Sequence, residues 1–279
     1  MKKKIIKSYA KINLSLNVLG KYKNGYHKIQ SIISFLDFHD RVHIKTTNRK
    51  KNIIKFKGAF SQNLKINTIS KLLYILEKKK LLKNNYKIEV IKNIPQKSGL
   101  GGGSMNAANI FSYFLKNKIV NLSKKEVFNI CNQIGSDVFI GLNRKNSILI
   151  NNKTIKRYNK KVDLFAVLVK PNIGCATGKI YSGIKGFSKG KIKISSKVFK
   201  INMLKDEQND LEKPAFKLYP ILLKLKIFLS KIDQVKFVRM TGSGSIMIAY
   251  FSNRKSAVNA LKLVKKNFKN YWSILSKTI

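Results

Sequence analysis

The sequence has few cysteines and few histidines, and it lacks a long apolar run. Cys131 and Cys175 are too few for a disulfide framework and too far apart for a CxxC metal site, so we expect buried thiols in a reducing compartment. His27, His39 and His43 show no HExxH spacing, and we predict no zinc. No stretch of about 18 apolar residues occurs, so we predict a cytoplasmic protein with no membrane partner.

Acidic residues are also scarce, and the charge balance is strongly basic. The 58 Lys and Arg residues against 12 Asp and Glu residues give a net charge of +46. Such a charge favours a partner that carries phosphate, and it leaves a nucleic-acid partner open. The basic residues are spread along the whole chain, however, and AT-rich codons encode the abundant Lys, Ile and Asn. Genome base composition therefore offers an alternative explanation of the charge.

Length and composition indicate a globular protein of one large domain or two. The 279 residues are 44% hydrophobic and 25% charged, which is enough apolar surface for a core. Helices and strands do not alternate regularly, so we predict an α+β fold with antiparallel character. A polar, weakly patterned segment over 144–161 places a domain boundary near residue 150.

The N-terminal third is predicted to be rich in strands. Apolar and polar residues alternate from Ala10 to Val18, which predicts one strand with Lys11 and Asn13 on its exposed face. Lys23-Asn24-Gly25 reads as a turn. Further strands are predicted over 32–36, 41–45 and 86–91, with a helix over 67–80.

A glycine-rich loop, residues 95–104, leads into a predicted helix that Ser104 would cap. Small residues before a helix expose backbone N–H groups to a phosphate. The loop matches neither the Walker A nor the dinucleotide-binding pattern.

A second helix begins with the capping box of Ser123 and Glu126 and ends at Gly135. Asp137 follows directly, and it is one of few carboxylates in the chain. Later segments predict strands over 164–169, 236–239 and 246–251, one helix over 214–232, and a helix around 258–264.

Six motifs occur in the order found in the GHMP small-molecule kinases, and the sequence resembles that family over residues 8–245. They are Ser8-Tyr9-Ala10-Lys11-Ile12-Asn13-Leu14-Ser15-Leu16, Asn24-Gly25-Tyr26-His27, the glycine loop, Gly135-Ser136-Asp137-Val138, Asn209-Asp210-Leu211-Glu212 and Met240-Thr241-Gly242-Ser243-Gly244-Ser245. The first, second and fifth resemble the branch whose substrate is 4-diphosphocytidyl-2-C-methyl-D-erythritol. The resemblance implies a GHMP kinase fold with a ribosomal-protein-S5-like N-terminal lobe, residues 1–150, and a ferredoxin-like C-terminal lobe, residues 151–279.

The resemblance also implies ATP-dependent phosphorylation of the substrate's 2-hydroxyl in the non-mevalonate isoprenoid pathway, with Mg²⁺. Asp137 would be the catalytic base, with Lys11 beside it to orient the acceptor. Substrate contacts would come from Asn13, Tyr26, His27, Thr177, Tyr181, Gly242 and Gly244, with the two tyrosines enclosing the cytosine ring and His27 reading its edge. ATP contacts would come from Asn67 near adenine and from Pro95, Gln96, Lys97, Ser98, Gly99, Leu100, Gly101, Gly102, Gly103, Ser104 and Met105 around the phosphates. Ser104 would also contact Mg²⁺.

Two other functions stay open at this point. A GHMP kinase acting on mevalonate or homoserine would share most motifs, although Tyr26, His27 and Tyr181 favour an acceptor with a nucleobase. A nucleic-acid-binding protein on the same scaffold is supported by charge alone. Phe139 also departs from the family, because it stands where proline is usual after Asp137, and we expect a slight displacement of Asp137.

Overall fold

The computed structural model describes residues 3–23, 25–61, 66–152, 154–190 and 192–279. Within these ranges the strands are β1 (Lys4–Asn13), β2 (Asn17–Lys21), β3 (His27–Thr47), β4 (Ile53–Lys57), β5 (Asn85–Ile91), β6 (Asn146–Asn151), β7 (Thr154–Tyr158), β8 (Phe165–Lys170), β9 (Phe237–Met240), β10 (Met247–Phe251) and β11 (Trp272–Lys277). The helices are α1 (Thr68–Lys78), α2 (Gly102–Lys116), α3 (Lys124–Ile134), α4 (Val138–Gly141), α5 (Thr177–Ser182), α6 (Ile201–Asp206), α7 (Glu212–Leu218), α8 (Pro220–Ser230) and α9 (Arg254–Asn267), with a 3₁₀ turn at Ser196–Phe199.

The chain divides into two compact units by its contacts. Unit 1 contains Met1–Lys11, Phe38–Gln96 and Gly101–Arg144, and unit 2 contains Ile12–Asp37, Lys97–Leu100 and Lys145–Ile279. The polypeptide therefore passes from one unit to the other several times. The domain boundary near residue 150 stays a prediction.

Unit 1 is built on β5, which pairs antiparallel with the second half of β3 and parallel with β4. One face of these strands buries apolar side chains against α1, α2 and α3, as their alternating sequence requires. The core includes Val42, Ile44, Leu72, Ile88, Val90, Phe111, Phe114 and Ile130.

Unit 2 contains a four-stranded antiparallel sheet in the order β11-β8-β10-β9. Apolar residues of α8 and α9 join its core, which includes Val167, Val169, Leu222, Leu225, Leu229, Ala249, Phe251, Ala260 and Val264. The first half of β3 pairs with β2 and β6 in the same unit, and β6 pairs with β7. The predicted α+β class with antiparallel character is confirmed.

Local sequence signals located several elements well. The capping box of Ser123 and Glu126 opens α3, and Gly135 closes it, as predicted. Helix α1 and strand β5 lie within a residue or two of their predicted bounds. The turn predicted at Lys23-Asn24-Gly25 includes Asn24, which lies outside the described residues.

The single strand predicted from Ala10 to Val18 is wrong, because β1 ends at Asn13 and β2 begins at Asn17. The predicted exposure of the polar positions is also wrong, since Lys11 and Asn13 are 5% and 4% exposed. Ser15 shows the physical reason: its hydroxyl accepts the Ile32 N–H at 3.0 Å. Buried polar side chains persist where they find such partners.

The single helix predicted over 214–232 is two helices. Tyr219 separates α7 from α8 with φ −135° and ψ 76°. Its conformation follows from Pro220, because proline disfavours helical geometry in the residue before it. The polar, weakly patterned segment over 144–161, for which no strand is predicted, contains the hairpin of β6 and β7.

Candidate active site

Lys11 and Asp137 form an ion pair in unit 1. Lys11 lies in β1, while Asp137 lies in the turn between α3 and α4. The distance from Lys11 Nζ to Asp137 Oδ2 is 3.1 Å, with the side chains 6% and 30% exposed. The ammonium therefore fixes one carboxylate oxygen while part of the carboxylate stays accessible to a ligand.

The turn that carries Asp137 forms without the family's usual proline. The Val138 N–H donates to the Gly135 carbonyl at 3.1 Å, and Phe139 packs edge-on against Phe128 with ring centroids 5.0 Å apart. These two contacts hold the turn that carries Asp137.

Gly101 brings the start of α2 against this ion pair. Its φ of 65° lies in the left-handed region that glycine adopts readily. A Cβ at Gly101 would lie 3.0 Å from Lys11 Cγ and 3.4 Å from Asp137 Oδ2. A side chain at Gly101 would be strained by this φ and would crowd Lys11, so glycine suits the close approach.

Helix α2 begins at Gly102, so the prediction that Ser104 is its N-cap is wrong. Gly101 is the N-cap, and no side chain among the described residues caps this end. Ser104 instead lies in the first turn, where a Cβ at Gly135 would be 3.7 Å from its hydroxyl. Because Gly supplies no capping oxygen, the first-turn N–H groups and the positive end of the helix dipole suit an anionic ligand.

The remaining residues of the glycine loop have structural contacts of their own. Gln96 Nε2 donates to the Phe60 carbonyl at 3.3 Å, and the Ser98 hydroxyl accepts the Leu100 N–H at 3.4 Å. Pro95, Leu100 and Met105 have buried side chains, while Lys97 is exposed.

Asn67 caps α1. Its Oδ1 accepts the backbone N–H groups of Ile69 and Ser70, each at 3.0 Å. The side-chain oxygen therefore has a structural partner, and the adenine contact stays a prediction.

A polar network in unit 2 links three motifs through Thr241, a residue that sequence reasoning did not select. Its hydroxyl accepts the Asn13 N–H at 3.1 Å and donates to the Gly99 carbonyl at 3.3 Å. Gly99 has φ +77°, and a Cβ there would lie 2.0 Å from the Thr241 carbonyl oxygen. Thr241 thus fixes a predicted substrate contact and a predicted ATP-loop residue together.

Asn209 holds the loop that carries Thr241 and was also missed. Its Nδ2 donates to the carbonyls of Met240 and Gly242, both at 2.8 Å. Both Asn209 and Thr241 lie within motifs shared with the GHMP kinases, so the sequence marks their segments. The motifs do not indicate which side chains contact each other.

Asn13, Gly242 and Gly244 all lie at this network. Asn13 Nδ2 donates to the Ser31 hydroxyl at 2.8 Å. A Cβ at Gly242 would lie 3.5 Å from Asn13 Oδ1, and a Cβ at Gly244 would lie 2.8 Å from Met240 Sδ. Both glycines have positive φ, of +54° and +83°, so the loop needs glycine for its backbone as well as for space.

Two of the three predicted base-recognition residues, His27 and Tyr181, come together in unit 2. The rings of His27 and Tyr181 are 4.7 Å apart and tilted by 33°, while Tyr26 is 69% exposed. Within the described residues His27 Nε2 is buried without a hydrogen-bond partner. Burial, and then the charge of Lys21, lower the His27 pKa, so the ring is neutral at pH 7.

Thr177 opens α5, and its hydroxyl lies 2.8 Å from that of Ser243. The pair places Thr177 beside the loop of Thr241.

The described residues contain no group of three or more His, Cys, Asp and Glu side chains that could hold a metal ion. The same part of the chain has no helix with the length and apolarity needed to cross a membrane. Ser104 nevertheless offers a hydroxyl oxygen of the kind that Mg²⁺ accepts alongside phosphates.

Comparison with known proteins gives consistent matches along the chain. The family "GHMP kinases N terminal domain" matches residues 67–144, and "GHMP kinases C terminal" matches residues 194–270. The 4-diphosphocytidyl-2-C-methyl-D-erythritol kinase of Pelagibacter ubique is 48% identical over 277 residues, 98% of each chain. That of Anaplasma phagocytophilum is 29% identical, covering 100% of this chain and 96% of its own. A crystal structure of 4-(cytidine 5'-diphospho)-2C-methyl-D-erythritol kinase has a TM-score of 0.77 at 21% identity, covering 98% of this chain and 99% of the other.

Proposed function

Because the chain belongs to the 4-diphosphocytidyl-2-C-methyl-D-erythritol kinases within the GHMP kinases, we propose that Lys11 and Asp137 carry its phosphoryl transfer. The chain is a kinase that phosphorylates the 2-hydroxyl of 4-diphosphocytidyl-2-C-methyl-D-erythritol with ATP, and it has the GHMP kinase fold. The observation that carries the assignment of residues is the 3.1 Å ion pair beside the uncapped start of α2.

Asp137 accepts the proton of the acceptor hydroxyl as the new bond from the hydroxyl oxygen to the γ-phosphorus of ATP forms. The bond from this phosphorus to the β,γ-bridging oxygen breaks, and ADP leaves. Phosphoryl transfer has a loose transition state, so positioning and charge stabilisation supply most of the catalysis. Lys11 holds the carboxylate in place and offsets negative charge around the transferring group. The N–H groups of the first turn of α2 hold the phosphate oxygens.

The cofactors are ATP and Mg²⁺, and their assigned residues fit them chemically. The loop from Pro95 to Met105 surrounds the phosphates, while Asn67 lies toward the adenine. Ser104 is the proposed protein contact to Mg²⁺. Bound there, Mg²⁺ would supply positive charge that offsets the negative charge of the phosphates.

His27 and Tyr181 recognise the cytosine, together with the exposed ring of Tyr26. A neutral imidazole with a buried, unpartnered nitrogen gains a hydrogen bond when a polar base edge meets it. Mevalonate and homoserine have no base to supply that bond. Asn13, Thr177, Gly242 and Gly244 complete the substrate contacts, and the reaction takes place in the cytoplasm.

Asp137→Asn tests the assigned base. We expect kcat to fall by at least about 100-fold, because the amide cannot accept the proton. ATP affinity, measured by calorimetry, should stay within about threefold, since no nucleotide contact is removed. Asp233→Asn is the matched control, because Asp233 is exposed on the surface. A kcat within about tenfold of the unmodified enzyme would assign the base elsewhere.

A further inference from the structure

The solvent-facing side of the sheet in unit 1 carries a basic groove of about 630 Å³. The groove is lined by basic side chains, which are Lys45, Arg49, Lys55 and Lys87. Among the described residues, no carboxylate lines it. Lys45 and Lys87 also line an adjoining depression of about 130 Å³ that contains the carboxylate of Glu89. The other side of these strands packs against α1, α2 and α3, so the groove lies on the face of the sheet opposite the glycines of α2.

The strand register places two like charges directly opposite each other. Lys45 of β3 pairs with Lys87 of β5, and both lie on the same face because cross-strand partners do. Like charges in this arrangement destabilise a sheet. Neither lysine forms an ion pair with a carboxylate of the described residues. A bound anion would relieve this repulsion.

The carboxylate on this face is already engaged. Glu89 Oε2 lies 3.1 Å from Lys57 Nζ, and this ion pair is partly exposed. The surroundings of His43 also indicate a positive potential: its pKa is lowered by burial first and then by Lys3, Arg41 and Lys57, despite the opposing effect of Glu89. Uncompensated positive charge therefore dominates the face.

From this arrangement we propose that the groove binds the phosphate backbone of a single-stranded nucleic acid without reading its sequence. Lysine and arginine side chains neutralise phosphates, which gives affinity without base discrimination. The groove lining has no aromatic side chain on which a base would stack, so the contacts are to phosphates. Four basic side chains line the groove, which is more positive charge than one small anion neutralises and favours a chain of phosphates. This activity is separate from phosphoryl transfer.

The test compares two variants of equal charge. The groove variant replaces Lys45, Arg49, Lys55 and Lys87 by Gln. The control variant replaces Lys255, Lys262, Lys265 and Lys266 by Gln, all exposed on α9 of unit 2. Binding of a fluorescent 20-nucleotide single strand of mixed sequence is followed by anisotropy over a range of KCl concentrations, with saturating Mg-ATP present. Kinase activity verifies that both variants are folded.

The groove variant should bind at least about tenfold more weakly at 0.1 M salt, and the control variant should change by less than about threefold. The slope of log K against log salt should flatten by about 2–3 in the groove variant, since each lost phosphate contact on a single strand contributes about 0.7. Equal losses in both variants would show that overall charge alone attracts the strand and would overturn the proposal. No strand binding in saturating Mg-ATP, or groove-dependent binding of phosphatidylglycerol vesicles without strand binding, would overturn it as well.

Discussion

Replacing Thr241 by valine removes one hydroxyl from a site that is 1% exposed and leaves the shape of the side chain almost unchanged. The Asn13 N–H loses the acceptor it has at 3.1 Å, and the Gly99 carbonyl loses a donor at 3.3 Å. Loss of a buried hydrogen-bond partner costs about 1–3 kcal/mol, and the longer second bond contributes about 0.5–1 kcal/mol. We expect the free energy of unfolding to fall by about 2–3 kcal/mol.

Thermal unfolding and steady-state kinetics measure the two consequences. At about 2–4 °C per kcal/mol, the melting temperature should fall by roughly 4–12 °C. Since Asn13 and Gly99 both shift, KM should rise for ATP and for the cytidine substrate. Thr241→Ser keeps the hydroxyl and should restore both KM values. In Thr154→Val, at an exposed position of β7, the free energy of unfolding should change by less than about 0.5 kcal/mol. Unchanged melting and unchanged KM in Thr241→Val would refute the bridging role.

Two further predictions concern the loop glycine and the histidine. Gly99→Ala should lower the melting temperature more than Thr241→Val and weaken ATP binding at least about tenfold, because the new Cβ would lie 2.0 Å from a backbone oxygen at φ +77°. Gly178→Ala is the control, since nothing lies within 4 Å of its Cβ, and its melting temperature should not change. Similar melting temperatures for both variants would contradict the clash at Gly99. The lowered His27 pKa places the midpoint of its protonation below the ordinary value of 6.5, so KM for the cytidine substrate should change little near neutral pH and rise in acidic buffer. His27→Gln should remove this rise, and its persistence would assign the titration to another group.

Features fixed within a few residues could be predicted from the sequence. The capping box of Ser123 that begins α3, the end of α3 at Gly135 and the glycine-rich start of α2 each depend only on residues close by in the sequence. The break before Pro220 is equally local, but the helical spacing of apolar residues continues across it and predicts one helix.

Features that depend on distant partners could not be predicted in this way. Asn13 and Thr241 are 228 positions apart, yet their hydrogen bond helps to bury a strand face that alternation alone marks as exposed. Lys11 is buried where Asp137 and Gly101 pack against it. The alternation of residues in the first strand cannot predict these contacts. The roles of Thr241 and Asn209 likewise required the three-dimensional contacts.

ADP release by the purified protein with Mg-ATP tests the central claim most directly. 4-Diphosphocytidyl-2-C-methyl-D-erythritol, mevalonate, homoserine and no acceptor are compared in parallel. We predict turnover only with the cytidine compound, because the proposed contacts of His27 and Tyr181 require a base that the other acceptors lack. Equal turnover with mevalonate or homoserine, or none with any acceptor from a folded protein that binds ATP, would contradict the account.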